Sequence, residues 1–116
     1  MFQTSGNLDV MLSMKDLAEI NKNMVQMVTK APVDTEIIKE ASAHLLEVAL
    51  IATNLYQIFY KHAVTGNELT NLRDNRKRDE IVLYVRKELQ RLIRVSNQKY
   101  QKFKVAKDVS YLKLNN

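Results

Sequence analysis

The side chains best suited to bind a metal lie near the start of the most apolar part of the sequence. Glu40, His44 and Glu47 stand four and three residues apart, which places two carboxylates and an imidazole on one face of a helix. A carboxylate-bridged metal site in a helical bundle needs a Glu-x-x-His pair from each of two helices, together with further glutamates. Neither that spacing nor a second copy occurs here. We therefore predict a solvated polar face and no metal site.

Nucleophiles and cofactor motifs give no better candidate. The chain has no cysteine, which excludes a thiolate nucleophile and a cysteine-ligated zinc. No serine stands in a nucleophile-elbow context, and Gly6 and Gly66 cannot form a glycine-rich phosphate loop. His62 falls at a core-like helical position, where it serves either packing or pH sensing. We predict a protein that is not an enzyme and has no catalytic residue and no cofactor.

The elements that carry these residues are predicted to be helices, because apolar residues recur at steps of three and four. A first helix is expected over residues 8–30, ended by Pro32, which has no backbone N–H to donate. Asp34 then caps a second helix, expected over residues 34–65. The stripe of the first helix is Val10, Ser13, Leu17, Ile20, Met24 and Met27. The stripe of the second is Ile38, Ala41, Leu45, Val48, Ala52, Leu55, Phe59 and His62.

A third helix is expected over residues 74–105, after a turn at residues 65–67 where Gly66 favours the end of the second helix. Asp74 is its predicted cap. The tail from residue 108 to residue 116 is too short to assign, and is either strand-like or a frayed end. The stripe of the third helix is Ile81, Val85, Leu89, Leu92, Ser96, Tyr100 and Phe103.

These elements predict an all-α fold, an antiparallel up-down-up bundle of three long helices with a short C-terminal tail. The 116 residues suffice for a single domain with one core, and the short loops make neighbouring helices antiparallel. We expect more than two-thirds of the chain to be helical. Because the first helix is predicted to be the shortest, part of the apolar seam should stay uncovered. The expected core is Leu45, Val48, Ala52, Leu55, Ile81, Val85, Leu89 and Leu92.

Charge is distributed unevenly along the chain, whose net charge is +5. Residues 1–67 hold five lysines and seven acidic residues, whereas residues 68–116 hold thirteen Lys and Arg residues and six acidic ones. A basic helix of this kind binds phosphates, lies on anionic lipid, or pairs with acidic neighbours and water. Non-specific binding of nucleic acid is therefore an alternative function. The candidate phosphate-facing residues are Arg76, Arg78, Arg86, Arg91 and Arg94.

Aromatic side chains on the second and third helices are candidate anchors for a protein partner or for a second copy of the chain, although each fits an intramolecular core equally well. The most apolar segment, residues 41–63, carries too many polar residues for a membrane span. The candidate anchors are Tyr56, Phe59, Tyr60 and Tyr100.

Four stretches of the chain, in the order in which they occur, resemble the helical region of TraI-type conjugation proteins of conjugative transposons, which are similar to TrbJ-like minor pilus components of type IV secretion. The stretches are LSMKDLAEINKNMVQMV, DTEII, RDNRKRDEIV and KDVSYLKL. The resemblance implies a non-enzymatic component of a conjugation or secretion apparatus that works through contacts with other subunits.

The resemblance and the amino-terminal sequence point to different cellular locations. Such conjugation proteins are usually exported, whereas the first ten residues show neither a basic region nor an apolar stretch typical of a secretory signal. The expectation is an exported or periplasmic protein if a leader has been removed, and otherwise a cytoplasmic one.

Overall fold

The computed structural model describes the backbone of residues 2–30, 34–64 and 72–114, and the side chains of residues 7–30, 34–62 and 76–109. Within these ranges the chain forms three helices and no strand. Helix α1 spans Phe2–Lys30, α2 spans Thr35–Phe59 and continues as a π-helical turn over Tyr60–Val64, and α3 spans Leu72–Leu114. The predicted all-α class and helical content are confirmed.

The three helices lie side by side in the predicted up-down-up order. Asp9 of α1 forms an ion pair with Arg86 near the start of α3, and Met27 shares a cluster with Phe103 near its end, so α1 and α3 are parallel. Helix α2 runs the opposite way, because Glu40 near its start pairs with Lys102. The result is an elongated bundle of 68 × 20 × 17 Å.

The core consists of two clusters that follow one another along the bundle axis. Five of the eight expected core residues are buried in the first cluster, where Ala52 and Ile81 pack at its edge. Leu45 packs instead against the second cluster, so the prediction of one continuous core is wrong. The first cluster is Val10, Leu17, Val48, Leu55, Phe59, Val82, Val85, Leu89 and Leu92. The second is Met24, Met27, Ile37, Ala41 and Phe103.

The predicted inner stripe of α2 is displaced by one residue at its start. Ile37 is buried, whereas Ile38, which was expected in the seam, is 40% exposed. The steps from Ile37 through Ala41 and His44 to Val48 are four, three and four, the same period that the rest of the buried stripe follows. The stripe therefore includes a histidine that the sequence analysis left out.

Helices α1 and α3 are both longer than predicted, α1 at its start and α3 at both ends. Helix α1 begins six residues earlier than expected and spans 29 residues, against 25 residues for α2 and five for the π-helical turn that continues it, so the predicted large difference in length between these two helices is absent. Helix α3 begins before Asp74, which lies in its first turn, where an acidic residue is as favourable as at a cap. It also continues to Leu114 because no glycine or proline follows Gly66.

The start of α2 agrees with the prediction. The side-chain oxygen of Asp34 accepts a hydrogen bond from the backbone N–H of Glu36 at 2.9 Å, the geometry of an N-cap. The predicted turn at residues 65–67 lies outside the described residues.

Candidate protein-interaction surface

His44 was predicted to lie on a solvated polar face. This prediction is wrong, because His44 is only 5% exposed. Its Nε2 lies 3.1 Å from the hydroxyl oxygen of Ser96, which is fully buried on the facing side of α3. This hydrogen bond joins α2 to α3 between the two apolar clusters. Both residues occupy inner-stripe positions, and a histidine and a serine on facing stripes are the signal that could have predicted the pair.

Burial also affects the protonation of His44. Desolvation lowers the pKa of the imidazole below its usual value of 6.5, and the positive charge of Lys99 lowers it further. The carboxylate of Glu47 acts in the opposite direction and does not reverse the shift. The neutral imidazole is therefore the form that the fold accommodates near neutral pH.

The two carboxylates of the predicted metal-like cluster are exposed, whereas His44 is buried. Glu40 lies on the surface and its carboxylate is 3.6 Å from the ammonium of Lys102. Over the residues that the structure describes, no group of three His, Asp or Glu side chains is placed to hold a metal ion. The geometry supports a structural role for His44.

The most distinctive surface of the bundle lies on the side of α2 that faces away from the core. We call it the outer α2 stripe. Leu46 and Leu50 are 64% and 65% exposed, and Tyr56 and Tyr60 are 41% and 47% exposed. From Leu46 through Ala49, Thr53 and Tyr56 to Tyr60 the steps are three, four, three and four, the period of the inner stripe. Leu50 lies three residues before Thr53 on the same side, so α2 is apolar on two sides. The outer α2 stripe consists of Leu46, Ala49, Leu50, Thr53, Tyr56 and Tyr60.

The two tyrosines of this stripe form a stacked pair. Their ring centroids are 6.0 Å apart with an angle of 24° between the planes, and both rings lie at the end of α2 where it passes into the π-helical turn. Because each ring limits the rotamers of the other, the pair presents an ordered aromatic surface. Such a surface loses little conformational entropy when a partner covers it.

An apolar groove of about 290 Å³ runs beside the stripe, between α1 and α2. Met14, Ala18 and Asn21 of α1 form one wall, and Thr53 and Tyr56 of α2 form the other. The groove reflects a looser fit between α1 and α2 than either helix has with α3. Tyr56 belongs to both features, so groove and stripe form one continuous surface.

The four predicted anchors are placed differently by the fold. Tyr56 and Tyr60 lie on the outer α2 stripe, whereas Phe59 is 1% exposed and belongs to the first core cluster. Phe59 is thus a core residue, the alternative that the sequence left open. Tyr100 is half-buried against the second cluster and lines a cleft of about 290 Å³ with Lys30, Lys104 and Lys107.

The five predicted phosphate-facing arginines do not form one surface. Arg86 pairs with Asp9 at 3.1 Å, Arg91 pairs with Glu88 at 3.0 Å, and Arg78 is half-buried. Arg76 and Arg94 are exposed. Lys87, which was not among the predicted residues, is exposed seven residues before Arg94 and hence on the same side of α3.

No described helix combines the length and apolar character that crossing a lipid bilayer requires. Comparisons of the chain with protein-family models, with curated proteins and with solved structures find no match. The functional proposals therefore rest on the surface described above and on the resemblance found in the sequence.

Proposed function

We propose that this protein is a non-enzymatic helical subunit that works through protein-protein contacts made by the outer α2 stripe. The observation that carries the proposal is the exposure of Leu46 and Leu50 on a helix whose opposite side already supplies the core. A helix that is apolar on both sides is expected where both sides are buried in the working assembly. An amphipathic helical face is the natural complement of such a stripe.

The assembly that we propose is a conjugation or related type IV secretion apparatus, in line with the resemblance of the chain to TraI-type proteins. The fold supports a scaffolding role, because the long parallel helices α1 and α3 form a stiff body that displays α2 at its surface. This role requires no catalytic group from the chain.

The test is a pull-down from the native host with the tagged protein, combined with deletion of the gene and a mating assay. We expect secretion-system subunits to be recovered by the wild type and to be lost with Leu46→Glu/Leu50→Glu. Leu83→Glu is the matched control, since Leu83 is an exposed leucine on α3. Normal transfer after deletion, with no such subunit recovered, would contradict the conjugation proposal. Loss of capture with Leu83→Glu as well would contradict the role of the stripe.

The second candidate is non-specific phosphate binding, as expected of an accessory protein for nucleic acid. It is supported by Lys30, Lys104 and Lys107, which line one cleft at the end of α1 together with a single acidic residue, Asp108. Titration with labelled duplex and single-stranded DNA at low and moderate salt tests it, because phosphate binding weakens steeply as salt rises. Lys104→Gln/Lys107→Gln should weaken binding, and Lys39→Gln, on α2, is the control. No binding at about 50 mM salt would exclude this candidate.

A further inference from the structure

We propose that the occupant of the outer α2 stripe is a second copy of this chain, so that two α2 helices pack antiparallel about a twofold axis. The inference rests on the proposed function, because it names the partner of the same surface. A twofold dimer requires a patch that is complementary to itself. The sequence of the stripe meets that requirement in its spacing, its charge and its central residues.

The four large residues of the stripe are spaced symmetrically about Thr53, and the position that mirrors Ala49 is the exposed Gln57. Leu46 and Tyr60 each lie seven residues from Thr53, and Leu50 and Tyr56 each lie three residues from it. With the axis at Thr53, antiparallel pairing places Leu46 against Tyr60 of the second copy and Leu50 against Tyr56 of the second copy. Each large aromatic ring thus meets a leucine, and no two tyrosines compete for the same space. The steps of three and four let the side chains interdigitate.

The centre of the stripe permits close approach of the two helices. Ala49 and Thr53 are its smallest residues, and both are exposed. The hydroxyl of Thr53 donates a hydrogen bond to the carbonyl oxygen of Ala49 at 2.7 Å. Because its donor is already used within the helix, Thr53 can be covered by a second helix without leaving an unpaired hydroxyl proton.

Charge favours a second copy over an ionic ligand. From Val48 to Tyr60 the chain has no acidic or basic residue, so two copies of a protein with a net charge of +5 can meet here without local repulsion. The basic helix α3 packs on the opposite side of α2, where Ser96 contacts His44. A nucleic acid would be attracted to α3 and not to this surface.

The size of the stripe sets the expected strength of the dimer. Each of its four large side chains has on the order of 100 Å² to bury, which gives about 400 Å² per copy before the smaller neighbours are added. A standard interface buries about 800 Å² per partner, so the four large side chains supply about half of that area, as in weak and transient interfaces. We therefore expect a reversible dimer with a Kd on the order of 1–100 μM.

Sedimentation equilibrium of the full chain tests the association. We expect Leu50→Glu to raise the Kd at least about tenfold, because it places two carboxylates in the apolar interface, and Leu83→Glu to leave the Kd unchanged. Circular dichroism checks that both variants stay helical. A wild type that remains monomeric at about 1 mM overturns the inference, as does a dimer that Leu50→Glu does not weaken.

Cross-linking tests the register, and the absence of native cysteine makes the experiment clean. Thr53→Cys places two thiols at the axis, so a short bismaleimide should join the copies. In Ser42→Cys, also exposed, the two thiols would be about 33 Å apart along the axis and should not be joined. Equal cross-linking of the two variants overturns the register. A monomer that still captures a secretion subunit through the stripe would overturn this inference and leave the proposed function standing.

Discussion

Helices α2 and α3 pack against each other, yet their solvent-facing sides differ in kind. Leu46 and Leu50 are exposed on α2, where no charged residue occurs from Val48 to Tyr60, whereas α3 exposes Leu83 among charged residues such as Lys87 and Arg94. Both helices contribute one inner stripe to the core, so burial in the bundle does not explain the second apolar side of α2. A helix that carries more apolar residues than its core stripe needs therefore indicates a surface for a partner.

The contributions of the inner and outer sides of α2 to stability can be compared by making the same Leu→Ala substitution on each side. Leu55 is buried in the first cluster, and Leu50 is exposed on the outer stripe. We expect Leu55→Ala to lower the free energy of unfolding by about 2–5 kcal/mol, because it leaves a cavity. Leu50→Ala should change it by less than about 0.5 kcal/mol in the monomer.

Urea unfolding well below the dimer Kd provides the measurement for both variants, since dimerisation would otherwise add to apparent stability. Similar losses for Leu55→Ala and Leu50→Ala would mean that the outer stripe is part of the core and that the two sides of α2 are not distinct.

The polar contact between α2 and α3 gives the next largest effect. Ser96→Ala removes the hydroxyl that meets Nε2 of His44 and leaves a buried imidazole nitrogen without that partner. We expect a loss of about 1–3 kcal/mol in the free energy of unfolding. In His44→Leu/Ser96→Ala both polar groups are replaced, and most of the loss should be recovered. A neutral effect of Ser96→Ala would show that the hydrogen bond does not stabilise the packing of α2 on α3.

The burial of His44 makes stability depend on pH in a defined direction. Because burial lowers the pKa of His44, the unfolded chain binds a proton more readily than the folded one. The free energy of unfolding should therefore decrease as pH falls through about 6.5 and level off below the folded pKa. His44→Gln should remove this component, and an NMR titration of the imidazole would give its pKa directly. A pKa of His44 above 6.5 would contradict the desolvation of its imidazole by burial.

Local patterns determined how much of this molecule could be predicted from sequence. The three-four stepping of α2 and α3 predicted the topology and most of the core, and Asp34 predicted the start of α2. His44 was misplaced because polarity suggested solvent, although its spacing fits the inner stripe. Its partner, Ser96, lies 52 residues further along the chain, so the packing of the helices determines which residue of the facing stripe meets the imidazole.

The surface was harder to predict than the core, and for a physical reason. The exposure of Tyr56 and the burial of Phe59 are set by the rotation of α2 about its axis, which depends on the packing of α1 and α3 against it. Similarly, α3 extends past its predicted end because nothing in the sequence stops it, and local propensity alone does not fix a frayed end.

The smallest expected effect on stability comes from the ion pairs that join α3 to α1 and α2. Glu40 and Lys102 are 3.6 Å apart on the surface, whereas Asp9 and Arg86 are 3.1 Å apart and more enclosed. Double-mutant cycles with Glu40→Gln, Lys102→Met, Asp9→Asn and Arg86→Met should give coupling energies of about 0–1 kcal/mol, larger for Asp9 and Arg86. Both should shrink at high salt, since exposed charges are screened. A coupling well above about 1 kcal/mol between Glu40 and Lys102 would mean that this exposed ion pair adds to the packing of α2 on α3. The charged side of α3 would then contribute to the fold, and the contrast between the outer sides of α2 and α3 would be weaker.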